Sequence, residues 1–581
     1  MTKAPDSTLP LAGTPFDLDE SLRLAQAASE RLGSSVTPGE AIQAVLDWDG
    51  TMAAQQTWSA SQSIRFRQDT GDAVAREAKA RLDASAAALA ETRRVFLAAL
   101  AALDSTLTAA LAARFGEAVL ERWSCELRSF DPVIGDELAE EQRLQSDAMA
   151  LTGGARVEFQ GESRTLPAVA AFLTSPDRET RRAAAAARWG WFAEHREALD
   201  GQFDDLVRVR HGIANKLGLG SFTELAYDRM RRTDYGPAEV ARFRSAVEQH
   251  VVPLVETIRS RQAESLGLEG LSIFDEGVQG PGESPTPGGD APWMEDRAAE
   301  MFRDVDRTAG THLGELFDRM RADGLLDLAA REGKGAGGFC SFLPSLGMPF
   351  IFANFNGTAG DARVFTHEMG HAYQGFSSHR ALELGDQRRC TSETAEIHSM
   401  SLEFLSWPWM ELFFGEAAPR FRAEHLAQQI AFLPYGCAID HFQHRVYEEP
   451  EAPALKRHAM WAEVERRYLP WRDWGDIPHG KDGAAWQAQL HVYQYPFYYI
   501  DYVLAELVAL QLMELSLRDA AAAWSAYQRL CETGGSKSFR TLVRDAGLGD
   551  PFDPEVVRAV AERSSAILSE LWGETSGASA G

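Results

Sequence analysis

The chain lacks the signals that would place it in a membrane, outside the cell or on nucleic acid. Across 581 residues no window approaches eighteen uncharged apolar residues, so no membrane-spanning helix is expected. The opening, Met1-Thr-Lys-Ala-Pro-Asp, has no apolar core of the kind a secretory signal needs. Cysteine is scarce. Cys125, Cys340, Cys390, Cys437 and Cys531 are scattered, odd in number and without metal-ligand spacing, which argues against a disulfide scaffold and fits reduced thiols in the cytoplasm. Positive charge is in deficit too: Lys+Arg 58 against Asp+Glu 85 gives a net charge of -27, which disfavours nucleic acid and anionic membrane as partners but leaves peptides compatible. No repeat of fixed period is visible, and no obligate protein partner is evident.

What is present is helical periodicity, with little strand-like alternation. The length is several times that of a single core, so two or more packed subdomains are expected. Residues 1-15 are polar and read as a disordered N-terminus, 16-200 as an N-terminal helical subdomain, 201-571 as a second helical domain and 572-581 as a disordered tail. Val157 and Phe159 before Gly161 suggest a small hairpin, and Ser175 ahead of Pro176 is a candidate N-cap. The Pro/Gly-rich run 277-292 reads as a flexible loop inserted between helices. Two short strands are expected at Gly338–Phe342 and Phe350–Phe355, joined by the turn Pro344–Pro349. An exposed strand edge there could pair with an extended peptide backbone.

Directly after these strands stands His367-Glu-Met-Gly-His371. On a helix its two histidines lie about 40° apart on one face, with Glu368 inside the same arc. Two neutral imidazoles can bind one zinc ion, and Glu368, one residue past the first, is better placed to take a proton from water than to bind metal. Asp361 stands where an N-cap would, and Val364, Phe365, Met369, Ala372 and Tyr373 give the segment a broad apolar surface, so a buried helix is expected. Gly370 costs about 1 kcal/mol relative to alanine inside a helix, which predicts a close approach by another element.

A third ligand must come from elsewhere. The metzincin pattern would need glycine at Gln374 and histidine at Ser377, and neither is there. A carboxylate on the next helix is the other common solution. Glu383 follows too soon after Gly375; Glu393, Glu396 and Glu403 share a stripe of the run Ser392–Leu405, where a ligand and a carboxylate that orients a histidine could lie together. Solvent-facing charge is the alternative reading for Glu393 and Glu403.

The pentapeptide, followed by Glu396-Ile-His-Ser399 with Glu403 beyond, resembles the M3 family of zinc oligopeptidases. The segment Thr391 to Met410 and Pro496-Phe-Tyr-Tyr-Ile-Asp-Tyr502 are most like its oligoendopeptidase F and Pz-peptidase branch, over about Arg156 to Gly549. The family's Glu-x-Pro-Ser is Glu-Ile-His-Ser here, which places His398 two residues from the ligand. The resemblance implies a mostly α, two-lobed zincin-type fold with a small β-sheet beside the metal helix and a deep substrate channel. It also implies one Zn2+ per chain on His367, His371 and Glu396, with Glu403 and Ser399 supporting them.

Downstream, His491, Tyr495, Tyr498, Tyr499 and Tyr502 crowd together, with Pro496 suited to the first turn of a helix that would put several of them on one face. Hydrolysis of an amide develops an oxyanion that phenol or imidazole can stabilise. The resemblance gives this work to His491 and to Tyr502 and Tyr498, with Tyr495 next. His441-Phe-Gln-His444 could share a face as metal ligands do, but no glutamate follows the first, and a structural or groove role is expected. The expectation is a zinc-dependent endopeptidase acting on short unstructured peptides, with Glu368 as general base. A helical zinc carboxypeptidase and a peptide-binding protein with a vestigial metal site are the alternatives.

Overall fold

The protein is described here by a computed structural model covering residues 16–280 and 284–578, without the side chains of Pro478 and 575–578. It is mostly helical, with five short strands. The expected disordered N-terminus lies outside the described residues. The C-terminal helix Pro554–Ala578 runs through most of the expected tail, so order persists past residue 572.

Two compact units are built from interleaved stretches of chain. The first contains residues 16–127, 286–418 and 508–549, the second 128–280, 284–285, 419–507 and 550–578. A division of the chain at residue 200 therefore does not coincide with either.

In the first unit, N-terminal helices begin where short polar side chains can accept otherwise unpaired N–H groups. Thr37 and Glu40 form a reciprocal cap with Pro38 in the first turn, and Asp72 and Asp104 cap the next two helices. Their apolar faces meet around Trp48, which stacks on Phe96 at 4.0 Å between ring centres, with Trp123 edge-on to Phe96 at 5.8 Å. Asp386 ties this bundle to the site region, accepting from Arg93 and from the Trp123 indole.

The first unit also holds a three-stranded sheet. β3 (Leu326–Ala329) lies parallel to β5 (Met348–Phe355), and β4 (Phe339–Leu343) pairs antiparallel with the other side of β5. β5 is buried along nearly its whole length, so β4 is an edge strand. The expected pair of strands is present, and β3 is an addition to it. Lys334, with its side chain wholly buried, fastens the glycine-rich approach to β4 by donating to Asp327 and to the carbonyl of Ala329.

The second unit carries the expected hairpin, β1 (Val157–Phe159) and β2 (Glu162–Arg164), among long helices. Beyond a short helix at Leu166–Ala170, the next long helix begins at Arg178 with Asp177 as N-cap, two residues beyond the expected Ser175, because the Asp177 carboxylate accepts both the N–H and the hydroxyl of Thr180. The expected loop 277-292 is shorter and better tethered than its composition suggests. Val278 is buried with its carbonyl on Gln262, Gly288 donates to Phe413 O, and Asp290 caps a helix starting at Ala291. Residues 281–283 lie outside the described residues.

Candidate metal centre and active site

The helix Ala359–Ala381 carries both histidines. It starts earlier than expected: Thr358 is the N-cap, and Asp361, in the first turn, reaches back to accept the N–H groups of Asn356 and Gly357. An acidic side chain in the first turn binds unpaired donors as well as a cap does. Helix Ser392–Leu405 packs across it at Gly370. A Cβ added at Gly370 would sit 2.4 Å from His398 O and 2.6 Å from Ser399 Cα, so the predicted close approach is real and only glycine permits it. Tyr527, from helix Ala520–Thr533, donates its hydroxyl to His398 O at 2.9 Å and fixes the second helix from behind.

This crossing brings three donor atoms together. Glu396 Oε2 lies 3.3 Å from His367 Nε2 and 3.6 Å from His371 Nε2. Donors about 2.0–2.1 Å from a tetrahedral ion stand about 3.4 Å from one another, so the spacing suits zinc. Among the described residues this is the one group of three such side chains within 4.8 Å. The two imidazoles keep 22 % and 23 % of their surface exposed, leaving the donors reachable by an ion and water. Glu403 Oε1 accepts from His367 Nδ1 at 2.8 Å, which turns the Nε2 lone pair toward Glu396. Ser399 Oγ donates to Glu396 Oε2 at 2.9 Å. Glu393 and Glu403 are buried, contrary to the solvent-facing alternative, because helix Ser392–Leu405 is packed on all sides.

Burial and charge set the site's proton affinities. Burial alone would raise the Glu396 carboxyl, but His371, His367 and the Ser399 hydroxyl outweigh it and hold the group at about 2. His371 is pushed down to about 4, chiefly by burial. Burial would lower His367 as well, yet Glu396 and Glu403 raise it. Glu368, 8 % exposed, is lifted to about 7, mainly by burial and further by the neighbouring carboxylates. That value suits a group that must take up and release a proton near neutrality.

The edge strand β4 runs beside this carboxyl. The backbone N–H of Cys340 hydrogen-bonds Glu368, and a Cβ on Gly338 would lie 3.8 Å from Glu368 Oε1. Sequence reasoning placed the strand but missed its contact with the carboxylate; the glycine-rich run 333–338 before it was the available signal.

The downstream aromatic cluster belongs to the second unit. His491 stacks on Tyr498 at 5.9 Å and 11°, Tyr502 lies edge-on to Tyr498 at 5.0 Å, and burial lowers the His491 pKa. Pro496 does not open a helix. It sits in a break between Leu490–Gln494 and Tyr499–Arg518, and Tyr495, 59 % exposed, stays at the rim of the cluster with its ring 6.3 Å from His491 and 6.2 Å from Tyr498. His444 contacts Tyr227 and Asp440, and His441 packs edge-on to Tyr468; neither belongs to a three-ligand group.

Comparison with known proteins agrees with this architecture. The model of peptidase family M3 matches residues 308–562, and that of the M3 N-terminal domain matches 12–130, further toward the N-terminus than the sequence resemblance reached. The solved structure of Pz peptidase A with an inhibitor is 36 % identical, with 96 % of this chain and 99 % of that chain aligned at a TM-score of 0.89. The chain belongs to peptidase family M3. Two further M3-like structures described as oligoendopeptidase F align over 96 % of this chain and 97 % of theirs, one at 37 % identity and TM-score 0.88, the other, from Bacillus anthracis str. Ames, at 35 % and 0.83. No curated protein sequence matches the chain significantly. Membership in this branch makes the protein a metalloendopeptidase with a mostly helical zincin-type fold. No single helix among the described residues is long and apolar enough to cross a membrane.

Proposed function

We propose that the protein is a zinc-dependent endopeptidase that hydrolyses internal bonds of short, unstructured peptides. The observation that carries this reading is the set of three donors at tetrahedral-ligand spacing with a buried carboxylate next to it. His367, His371 and Glu396 would hold one zinc ion, and Glu403 and Ser399 would fix the orientation of the first and third. A zinc ion there supplies Lewis acidity toward water and the scissile carbonyl.

The chain's own groups do the rest. Glu368 Oε takes a proton from water and returns it to the leaving amine, a task for which a carboxyl near pH 7 is poised in both directions. The outward edge of β4 takes the substrate backbone as an added strand, giving affinity without reading side chains. Tyr498, Tyr502 and His491 donate to the oxyanion, a role supported by the family resemblance and by their clustering. The five cysteines, none of them in a disulfide, fit a cytoplasmic setting.

The test is mass-spectrometric mapping of products from a mixed peptide library supplied both with free and with blocked C-termini, with and without chelator. Internal cleavage that stops on chelation and returns with zinc is expected. Products trimmed only from unblocked C-termini would point instead to a carboxypeptidase, and peptide binding without any cleavage to a vestigial site.

A further inference from the structure

The segment that carries His491, Tyr498 and Tyr502 is held by an unusual arrangement of buried cations. Three non-glycine residues among those described have left-handed backbone: Gln160 (φ 54), Arg231 (φ 57) and Phe497 (φ 65). Gln160 lies in the β1–β2 turn. Arg231 follows helix Phe222–Arg229, where the N–H of Arg232 returns to Tyr227 O and the side chain of Arg232 is turned inward. Phe497, fully buried, stands immediately before Tyr498.

Breaking the helix at Pro496 deprives several carbonyls of their intrahelical donors. Each is supplied from elsewhere in the unit. Arg210, 0 % exposed, donates to the carbonyls of Val492 and Tyr493; Gln145 donates to Gln494 O at 2.8 Å. Arg232 Nη2 donates to Phe497 O at 2.6 Å and to Asp501 in the first turn of the next helix at 2.5 Å. Gln443 accepts the N–H of Phe497 at 2.9 Å. Glu141 balances Arg210, as Asp501 does Arg232.

A continuous helix would need neither arginine nor a strained phenylalanine. Buried ion pairs are poor sources of net stability, and strained backbone persists where its surroundings over-determine it. The visible product of this arrangement is that Tyr498 lies flat against His491, with the more exposed Tyr495 at the rim of the same cluster. We infer that Arg210 and Arg232 are positioning residues for the reaction: they hold the helix break at Phe497 so that Tyr498, Tyr502 and His491 keep the mutual arrangement needed to serve the oxyanion. This rests on the catalytic reading of those three side chains given above.

The experiment is a double-mutant cycle on the zinc-loaded enzyme with a quenched fluorescent peptide, crossing Arg232→Met with Tyr498→Phe. Arg232→Met is expected to lower kcat about tenfold or more with KM within about threefold and metal content unchanged. Arg232→Lys, which keeps the charge but not the fork, should recover only part of it. Because part of the Arg232→Met loss runs through Tyr498, the double variant should lose clearly less than the product of the two single losses, whereas general destabilisation would multiply them. If Arg232→Met does not fold, Gln443→Ala replaces it in the same cycle. Multiplying losses, or wild-type kcat in the clamp variant while Tyr498→Phe, Tyr502→Phe or His491→Ala is impaired, would overturn this inference alone. Wild-type kcat in all three of those variants would overturn the catalytic reading and the inference with it.

Discussion

Replacing Glu403 by glutamine alters the hydrogen bond it makes to His367 Nδ1, on the far side of the ring from the Nε2 that faces Glu396. Its carboxylate accepts from His367 Nδ1 at 2.8 Å in a residue only 4 % exposed, so water cannot readily substitute. A hydrogen bond to a charged group contributes about 1.5–3 kcal/mol, equivalent to about 10- to 150-fold in an equilibrium constant. Outer carboxylates of metal-bound histidines typically account for about 10–100-fold in affinity. Glutamine keeps the volume and an acceptor oxygen, so Glu403→Gln should fall near the lower end of that range and Glu403→Ala near the upper. Glu396→Ala, which deletes a donor, should exceed both, and Glu393→Gln should leave affinity unchanged, since Glu393 is buried on the same helix but absent from the donor group. Competition against a chromogenic zinc chelator at fixed pH, with elemental analysis after dialysis, ranks the four variants. Wild-type affinity in Glu403→Gln and Glu403→Ala together, or a loss at Glu393 matching that at Glu396, would refute the assignment of ligand and supporting carboxylate.

Glu368→Gln should retain metal while kcat drops by about 10²–10⁴-fold, and single-turnover assays on a metal-replete sample would reveal a different base if activity survived. Gly370→Ala pits a helix-propensity gain of about 1 kcal/mol against overpacking of about 1–3 kcal/mol or more. With the new Cβ 2.4 Å from His398 O, a lower melting temperature is expected; an unchanged or higher one would mean the two helices separate without cost. Asp386 is the group to follow with pH. Burial would raise its carboxyl, but Arg93 and the Trp123 indole hold it at about 2. With an unfolded value of about 3.9, it contributes about 2–3 kcal/mol that is fully present above about pH 4 and lost as pH falls through 2. Asp386→Asn should therefore lower the urea midpoint at pH 7 and converge on wild type near pH 2; a constant gap across that window would rule out this linkage. A stably folded globular protein should resist digestion under conditions that consume a short peptide, as gel analysis of the two would show.

The meeting of His367, His371 and Glu396 was legible because most of its information is local. Two histidines one turn apart and a glycine between them fix a face and a crossing point without reference to the rest of the chain. The strands β4 and β5 were equally visible through their flanking turns. β3 was not, since Leu326-Asp-Leu-Ala329 is too short for its alternation to stand out and its pairing with β5 is non-local. Burial of Glu393 and Glu403 could not be read either: a helix packed on every side has no exposed face to contrast with a buried one. The break at Phe497 escaped for a related reason. Left-handed backbone is foreshadowed by glycine, but here a phenylalanine is forced into it by Arg232 and Gln443, which lie more than fifty residues away in sequence.

Tyr527 reaches its carbonyl acceptor across 129 residues of intervening chain. During synthesis the paired helices that bear His367 and Glu396 thus leave the ribosome well before the hydroxyl that braces them exists. Until then the crossing rests on the close contact of the two helices at Gly370. A chain ending before residue 508 would carry the whole pentapeptide and yet lack this brace on the helix that bears Glu396.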